Sequence, residues 1–228
     1  MGDHEENSSL VLPATIISHS DWEHLYVTFD TVAHDRPRFD EVLTVMISRE
    51  EEPEHVAHVA ALANSLFGQT VHLHELGAEE NFLLIAAALL HDIGWSVTPD
   101  GTKHHKYSLQ YIIEHPWKTL SVREKTIIAN VARYHRKALP DESHPHFHPL
   151  SRSDKKTVKI LASFLRLADA LDRTHLQSVK SVKLKFKSER TLILIKSNLP
   201  ADAEIEALEK KKDLFEQVFH TTLRAKLL

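Results

Sequence analysis

Cysteine is absent from the 228 residues. That removes disulfides, thiolate nucleophiles and cysteine-held zinc, and it leaves the redox compartment unmarked. Glycine is scarce, with five residues, and no stretch has the glycine-rich pattern of a phosphate-wrapping loop. No apolar run approaches the roughly 20 residues that a bilayer requires; the run at 82–90 stops at His91-Asp92. The opening MGDHEENSS has neither the basic nor the apolar region of a secretion signal, so a cytoplasmic protein without membrane contact is the expectation. Positive charge is not in excess. The 28 Lys and Arg stand against 32 Asp and Glu, a net charge of -4, which argues against a nucleic-acid partner. Histidine is the abundant residue, with 18 copies, and the length is sufficient for a sizeable core.

The periodicity is mostly helical. Residues 22–30 alternate loosely through Trp22, Leu25, Val27 and Phe29, which predicts a strand, and DRPRF (35–39) predicts a break before a helix from Asp40 to about Arg49. Pro53 opens a helix whose inward stripe is Val56, Val59, Ala60, Ala63, Leu66 and Phe67. The segment NFLLIAAALLHDIG (81–94) is apolar on nearly every side, the mark of a central helix. A loop over 94–103, a helix from Tyr107 to Glu114, and a helix from Ser121 to about Lys137 follow, the last opened by a Ser-Val-Arg-Glu capping box. The segment 138–150, with its HPHFHP run, predicts a solvated loop; Ser153 predicts the cap of a long helix to about Thr174. The period then changes to two. Val182, Leu184 and Phe186 alternate with Lys183, Lys185 and Lys187, and LILI (192–195) completes a hairpin before a last helix over about 201–222. The sum is a mainly α fold: an N-terminal extension (1–50) whose fold the pattern does not define, a helical bundle (51–175), and a small appendage of hairpin plus helix (176–228).

Four side chains on this frame suit a divalent ion. His55 lies in the first turn of one helix, His91 and Asp92 end the central helix, and Asp169 sits inside the apolar LRLADALDRT (165–174). A buried carboxylate without a partner is costly, so Asp169 needs an ion, Arg166 or Arg173 beside it, or a helix end. Mixed imidazole and carboxylate donors suit Mn, Fe, Co, Ni, Mg or Zn.

The order His, His-Asp, Asp resembles that of the HD-domain metal phosphohydrolases. HDIG (91–94), KHHKYS (103–108), ARYHRK (132–137), LRLADALDRT (165–174) and the hairpin-plus-helix tail resemble, more narrowly, the C-terminal half of the exopolyphosphatase/guanosine pentaphosphate phosphatase family over about 53–225. The resemblance implies an HD-type helical bundle with His55, His91, Asp92 and Asp169 as metal ligands. Dinuclear members of the wider group carry further histidines after the pair. That implies a second ion held by His104 or His105 together with His135, with Asp92 as the bridge. The same resemblance places polyphosphatase chemistry in an actin-like half that has no counterpart here. Position 95 is Trp, where the cyclic dinucleotide phosphodiesterases carry a lysine.

A bound divalent ion supplies hydroxide near neutral pH, and phosphoryl transfer needs cations around the non-bridging oxygens. Lys103, Lys106, Arg136, Lys137, Arg166 and Arg173 adjoin the candidate ligands. Arg136, Lys137 and Arg166, with Asp92, are the candidates for the catalytic contacts. The expected activity is metal-dependent hydrolysis of a phosphate ester or anhydride, with a nucleotide or other small phosphorylated compound as substrate and one or two ions as cofactor. The alternative is a non-catalytic regulatory module that binds nucleotide or polyphosphate. Apolar positions on the last helix would also suit a homodimer.

Overall fold

The structure, a computed structural model, describes residues 24–29, 35–98 and 100–228. The LVLPATII run and Trp22 lie outside the described residues. The order of elements is α1 (His24–Thr28), α2 (Arg36–Arg49), α3 (Pro53–Gln69), α4 (Val71–His74), α5 (Ala78–Leu90), a 3₁₀ turn (Ile93–Val97), α6 (His104–Glu114), α7 (Val122–Arg133), α8 (Arg152–Ala170), β1 (Val179–Lys187), β2 (Arg190–Ser197), α9 (Asp202–Lys211), α10 (Asp213–Phe219) and β3 (Thr222–Leu227). The chain is mainly helical with one small three-stranded sheet. Among the described residues no helix is long and apolar enough to cross a membrane.

The uniformly apolar α5 is the axis of the bundle, and α2, α3, α7 and α8 pack around it. Its residues Leu84 through Leu90 are almost wholly excluded from solvent. Such a helix has no polar face to offer water, so it is stable only when surrounded. Because the axis is buried, its C-terminal end delivers His91 and Asp92 at the edge of the core. Ser121 caps α7, accepting from the Glu124 amide at 3.2 Å while Glu124 accepts from the Ser121 amide at 2.8 Å. The cap of α8 is Ser151, which accepts from the Asp154 amide at 3.0 Å; the expected Ser153 is already inside the helix, two residues beyond the better-placed hydroxyl.

Several expectations are corrected. Residues 24–28 are helical, not extended, because Leu25 and Phe29 are one turn apart and both buried. DRPRF does not break the chain: proline is tolerated in a first turn, and α2 begins at Arg36 with Pro37 there. Phe39, Val42, Leu43 and Met46 of α2 join the same hydrophobic cluster as α3 and α5. Helix α6 begins at His104, so His104 and His105 are helical and buried rather than in a loop. Helix α7 ends at Arg133, and Lys137 takes a left-handed turn with φ 56°.

The last segment differs most. One helix over 201–222 is expected; the chain forms α9 and α10, then a third strand. Strands β1 and β2 are antiparallel, whereas β2 and β3 are parallel, with α9 and α10 making the crossover that parallel pairing requires. Strand β2 is therefore central, which explains why LILI is a continuous apolar run. Lys183, Lys185 and Lys187 point to solvent, as alternation predicts, but Phe186 is also exposed and rests edge-on against His72, 5.2 Å between ring centres. Helices α9 and α10 pack on α8, and β1 packs on α3. That docking turns the end of α9 toward the bundle.

Candidate metal centre

Five elements converge on the C-terminal end of α5. His55 comes from the first turn of α3, His91 and Asp92 from the end of α5, and His104 from the first turn of α6. His135 follows α7, and Asp169 comes from the last turn of α8. Asp92 Oδ1 lies 3.2 Å from His104 Nε2 and 3.6 Å from His135 Nε2, and its Oδ2 lies 3.5 Å from His91 Nε2. Asp169 Oδ1 lies 3.8 Å from His55 Nε2. Two donor groups close enough to share an ion are His55–His91–Asp169 and His91–Asp92–His135, with His91 common to both. His104 and His135 approach Nε2 to Nε2 at 3.3 Å.

The opposite nitrogen of every ring is already engaged. His91 Nδ1 donates to the Ala88 carbonyl at 2.7 Å, His104 Nδ1 to Gly101 at 2.9 Å, and His135 Nδ1 to Ala132 at 2.7 Å. His55 Nδ1 donates to Asp172 Oδ2 at 2.8 Å. A neutral imidazole with its proton on Nδ1 presents a lone pair at Nε2. Four Nε2 atoms and two carboxylates thus face one another across a few ångströms, with the Arg136 guanidinium 3.2 Å from His104 Nε2 and Lys211 on Asp169 as the donors at the rim. His55 Nε2, His91 Nε2 and Asp92 Oδ1 are buried without a hydrogen-bond partner. Buried acceptors facing only acceptors are unfavourable unless a cation lies between them. The donor set and its outer hydrogen bonds fit a divalent ion.

The ionisation pattern follows the same geometry. Burial, together with the charge of His91, keeps His135 well below the ordinary histidine range. Burial works against the charged form of Asp92, but the neighbouring His91 and His135 outweigh it and lower its pKa. Burial likewise opposes ionised Asp169, and the Lys211 ammonium overcomes it. For His55 burial lowers the pKa, while the Asp172 hydrogen bond and the charges of Asp169 and Asp92 raise it to a net increase.

The site opens into a cleft of about 670 Å³. Arg136, Lys137, Arg173 and Lys211 bring positive charge to its walls, opposed by Glu50, Glu51 and Glu52. Trp95 lines the cleft and stacks on His104, 4.7 Å between ring centres at 22°. His175 lines it too, stacked on His55 at 3.8 Å and paired with Glu52.

Residues 42–214 match the family described as Ppx/GppA phosphatase, domain III. The chain belongs to that family. Comparison with curated proteins gives no match. The domain III match begins inside α2 and ends inside α10, so it includes every element that supplies the converging side chains.

Within this domain III chain the expected site residues separate into two groups. His55, His91, Asp92, His104, His135 and Asp169 come together, and Arg136 and Lys137 reach the cleft. Of the adjacent histidines, His104 faces Asp92. His105 is buried on the other side of the helix, in a small cavity with Lys106, Arg133 and His144, and burial pushes its pKa down to about 4. Arg166 does not line the cleft. Its guanidinium donates to the Tyr134 carbonyl at 3.1 Å, the Lys211 carbonyl at 3.3 Å and Asp213 at 2.9 Å, tying α8 to α10. Arg166 and Asp169, three apart, share the face of α8 that meets the appendage; Arg166 is taken up by acceptors there, and Asp169 by Lys211. The 138–150 loop lies away from the cleft, with His144 accepting from the Tyr134 hydroxyl at 2.8 Å.

Asp172, Glu50, His175 and Lys211 were not singled out from the sequence. Asp172 carried a signal, three residues after Asp169 in the same motif. Lys211 and Glu50 carried none, lying within Lys210–Lys212 and Glu50–Glu52 runs that read as solvated charge.

Glu50 yields a pH prediction. Its Oε1 accepts from the Glu51 and Glu52 amides, both at 3.1 Å, and its Oε2 is buried without a partner. Burial, aided by the Asp92 charge, raises its pKa from 4.5 to about 7. A raised pKa contributes stability that is complete below the unfolded value and lost as pH rises through the folded one. The window is therefore about 4.5 to 7, and the amount is about 3 kcal/mol. Glu50→Gln keeps the Oε1 acceptor and cannot ionise. In chelator it is expected to unfold at higher urea than the parent at pH 8 and to match it at pH 4. Equal midpoints at pH 8 would show that Glu50 is not held neutral.

Proposed function

We propose that this domain III chain is an HD-type, metal-dependent phosphohydrolase acting on a nucleotide or another small phosphorylated compound. The observation that carries the reading is the convergence of four Nε2 atoms on Asp92 and Asp169 at the floor of a cleft whose walls bring in Arg136, Lys137 and Arg173. His55, His91 and Asp169 would hold one ion; Asp92 with His91, His104 and His135 would hold another or complete the first. When bound, such an ion lowers the pKa of water and neutralises charge on phosphoryl oxygens. The chain supplies the rest. Arg136 and Lys137 offer donors to the non-bridging oxygens of the transferred group, the arginine through its planar fork. Asp172 fixes the His55 tautomer, and the Ala88, Gly101 and Ala132 carbonyls fix the other three. The cleft volume suits a ligand of mononucleotide size, and Trp95 presents a flat apolar wall to it.

The test is metal content of the protein as purified, followed by turnover of a panel of nucleotides, phosphate monoesters and polyphosphates with and without chelator. At least one ion per chain and chelator-sensitive release of phosphate are expected. A metal-free protein, or hydrolysis indifferent to chelator, would sink the reading.

A second reading has its own support: the family match is to one domain of a phosphatase family rather than to its whole. In that reading the cleft binds nucleotide or polyphosphate and an ion without turnover. Tight binding of panel compounds by a metal-loaded chain that releases no phosphate would favour it.

A further inference from the structure

Lys211 is the last residue of α9, 42 residues from Asp169 in sequence, and its ammonium is hydrogen-bonded to Asp169 Oδ2. Its side chain is one-fifth exposed, that of Asp169 less. Two observations mark the contact as more than a surface ion pair. Asp169 Oδ1, on the same carboxylate, faces His55 Nε2 inside a ligand group with His91. The Lys211 backbone is anchored, because its carbonyl accepts from Arg166, which is itself bound to Tyr134 and Asp213. The main chain is fixed while the four-carbon stem is free to rotate, and the cleft that Lys211 lines gives it a way out to solvent.

Resting on the metal reading above, we infer that Lys211 is the built-in counter-cation of the ion-free site, and that its pairing with Asp169 and the binding of a divalent ion at His55–His91–Asp169 exclude one another. The carboxylate is one anionic group; an ammonium on Oδ2 and a dication on Oδ1 would be two cations held a few ångströms apart in a buried setting, where screening is weak. The ion therefore displaces the ammonium. The released Lys211 turns into the cleft beside Arg136, Lys137 and Arg173, where it faces an anionic ligand. The ion-free carboxylate is never left bare, and the appendage that carries Lys211 thereby sets the affinity of a site in the helical bundle.

The test is calorimetric titration of the chelator-stripped full chain with Mn²⁺ alone. Lys211→Met is expected to bind Mn²⁺ at least tenfold more tightly than the parent, Lys211→Arg to bind like the parent, and Lys211→Met combined with Asp169→Asn to lose the gain. Unchanged or weaker binding by Lys211→Met would overturn the inference, and weaker binding would make Lys211 an orienting support of Asp169 instead. A site that takes up no Mn²⁺ in any of these variants would overturn the metal reading itself, and the inference with it. Amine labelling of the unmutated chain, followed by mass spectrometry, needs no folded variant. Lys211 is expected to be protected without ion and reactive with saturating Mn²⁺; labelling unchanged by the ion would also overturn it.

Discussion

Asp92→Ala is expected to lower bound metal below one ion per two chains and to reduce phosphate release by on the order of a hundredfold or more. Removing an outer hydrogen-bond partner of a metal ligand costs about 10–100-fold in affinity, and in the proposed site Asp92 is itself a ligand. Its Oδ1 is the nearest carboxylate oxygen to both His104 and His135, and its Oδ2 reaches His91. The other nearby carboxylate, Asp169, groups with His91 and His55, so without Asp92 the donor group that contains His135 has no carboxylate to offset an ion's second charge. In the ion-free chain Asp92 disfavours ionised Glu50 but is itself held ionised by His91 and His135, so its removal relieves one repulsion and breaks those attractions. The ion-free variant is expected to melt cooperatively as a folded chain, and unlike the parent it gains nothing from added Mn²⁺. Melting curves with and without the ion, beside turnover, decide the matter. Activity within tenfold of the parent would show that Asp92 does not hold the ion.

Much of this site was legible before any coordinates, and the reason is local. His91-Asp92 ends an all-apolar helix, and Asp169 interrupts another apolar stretch; both are polar groups where the pattern demands none, and such exceptions are informative. The helical core is legible too, since α3 and α8 each carry one strong period and α5 is a long uninterrupted apolar run. Short or composite elements were not. Residues 24–28 are too few for a period to separate helix from strand. The third strand follows two short helices with no turn signal that would reveal a parallel crossover. His104 could not be told from His105, because the choice depends on where α6 begins, and that is set by the backbone of the 3₁₀ turn it packs against. Lys211 and Glu50 owe their importance to long-range docking alone. A lysine among lysines and a glutamate among glutamates differ from their neighbours only in what the fold brings opposite them.

Gly94→Ala is expected to destabilise the chain by about 3 kcal/mol or more, at the upper end for overpacking, and to weaken ion binding although no ligand is changed. Gly94 closes the HDIG motif and is buried. A Cβ there would overlap the His104 carbonyl oxygen, and would lie 2.6 Å from the Ser108 amide nitrogen and 2.9 Å from Ser108 Oγ. Two of the three atoms are backbone, so no rotamer change makes room. The Gly94 amide also donates to Ser108 Oγ at 2.9 Å, fastening the turn to α6. The methyl group would force the first turn of α6 away from the end of α5. His104 rides on that turn, and its 3.2 Å approach to Asp92 would open. The glycine is therefore required for space and not for a left-handed backbone, which in this loop occurs at Gly101, φ 63°, and Lys103, φ 62°. Gly68 in α3 is the internal control. Its Cβ would meet nothing within 4 Å, so Gly68→Ala is expected to raise stability by about 0.5–1 kcal/mol, as a helical Gly→Ala change does where space allows. Urea unfolding of both variants in chelator, followed by Mn²⁺ titration, separates the effects. A Gly94→Ala chain that unfolds at the parent's midpoint would mean that α6 does not need this close approach. One that is destabilised yet binds Mn²⁺ with the parent's affinity would remove His104 from the ligand set and leave the ion to His55, His91, Asp92, His135 and Asp169.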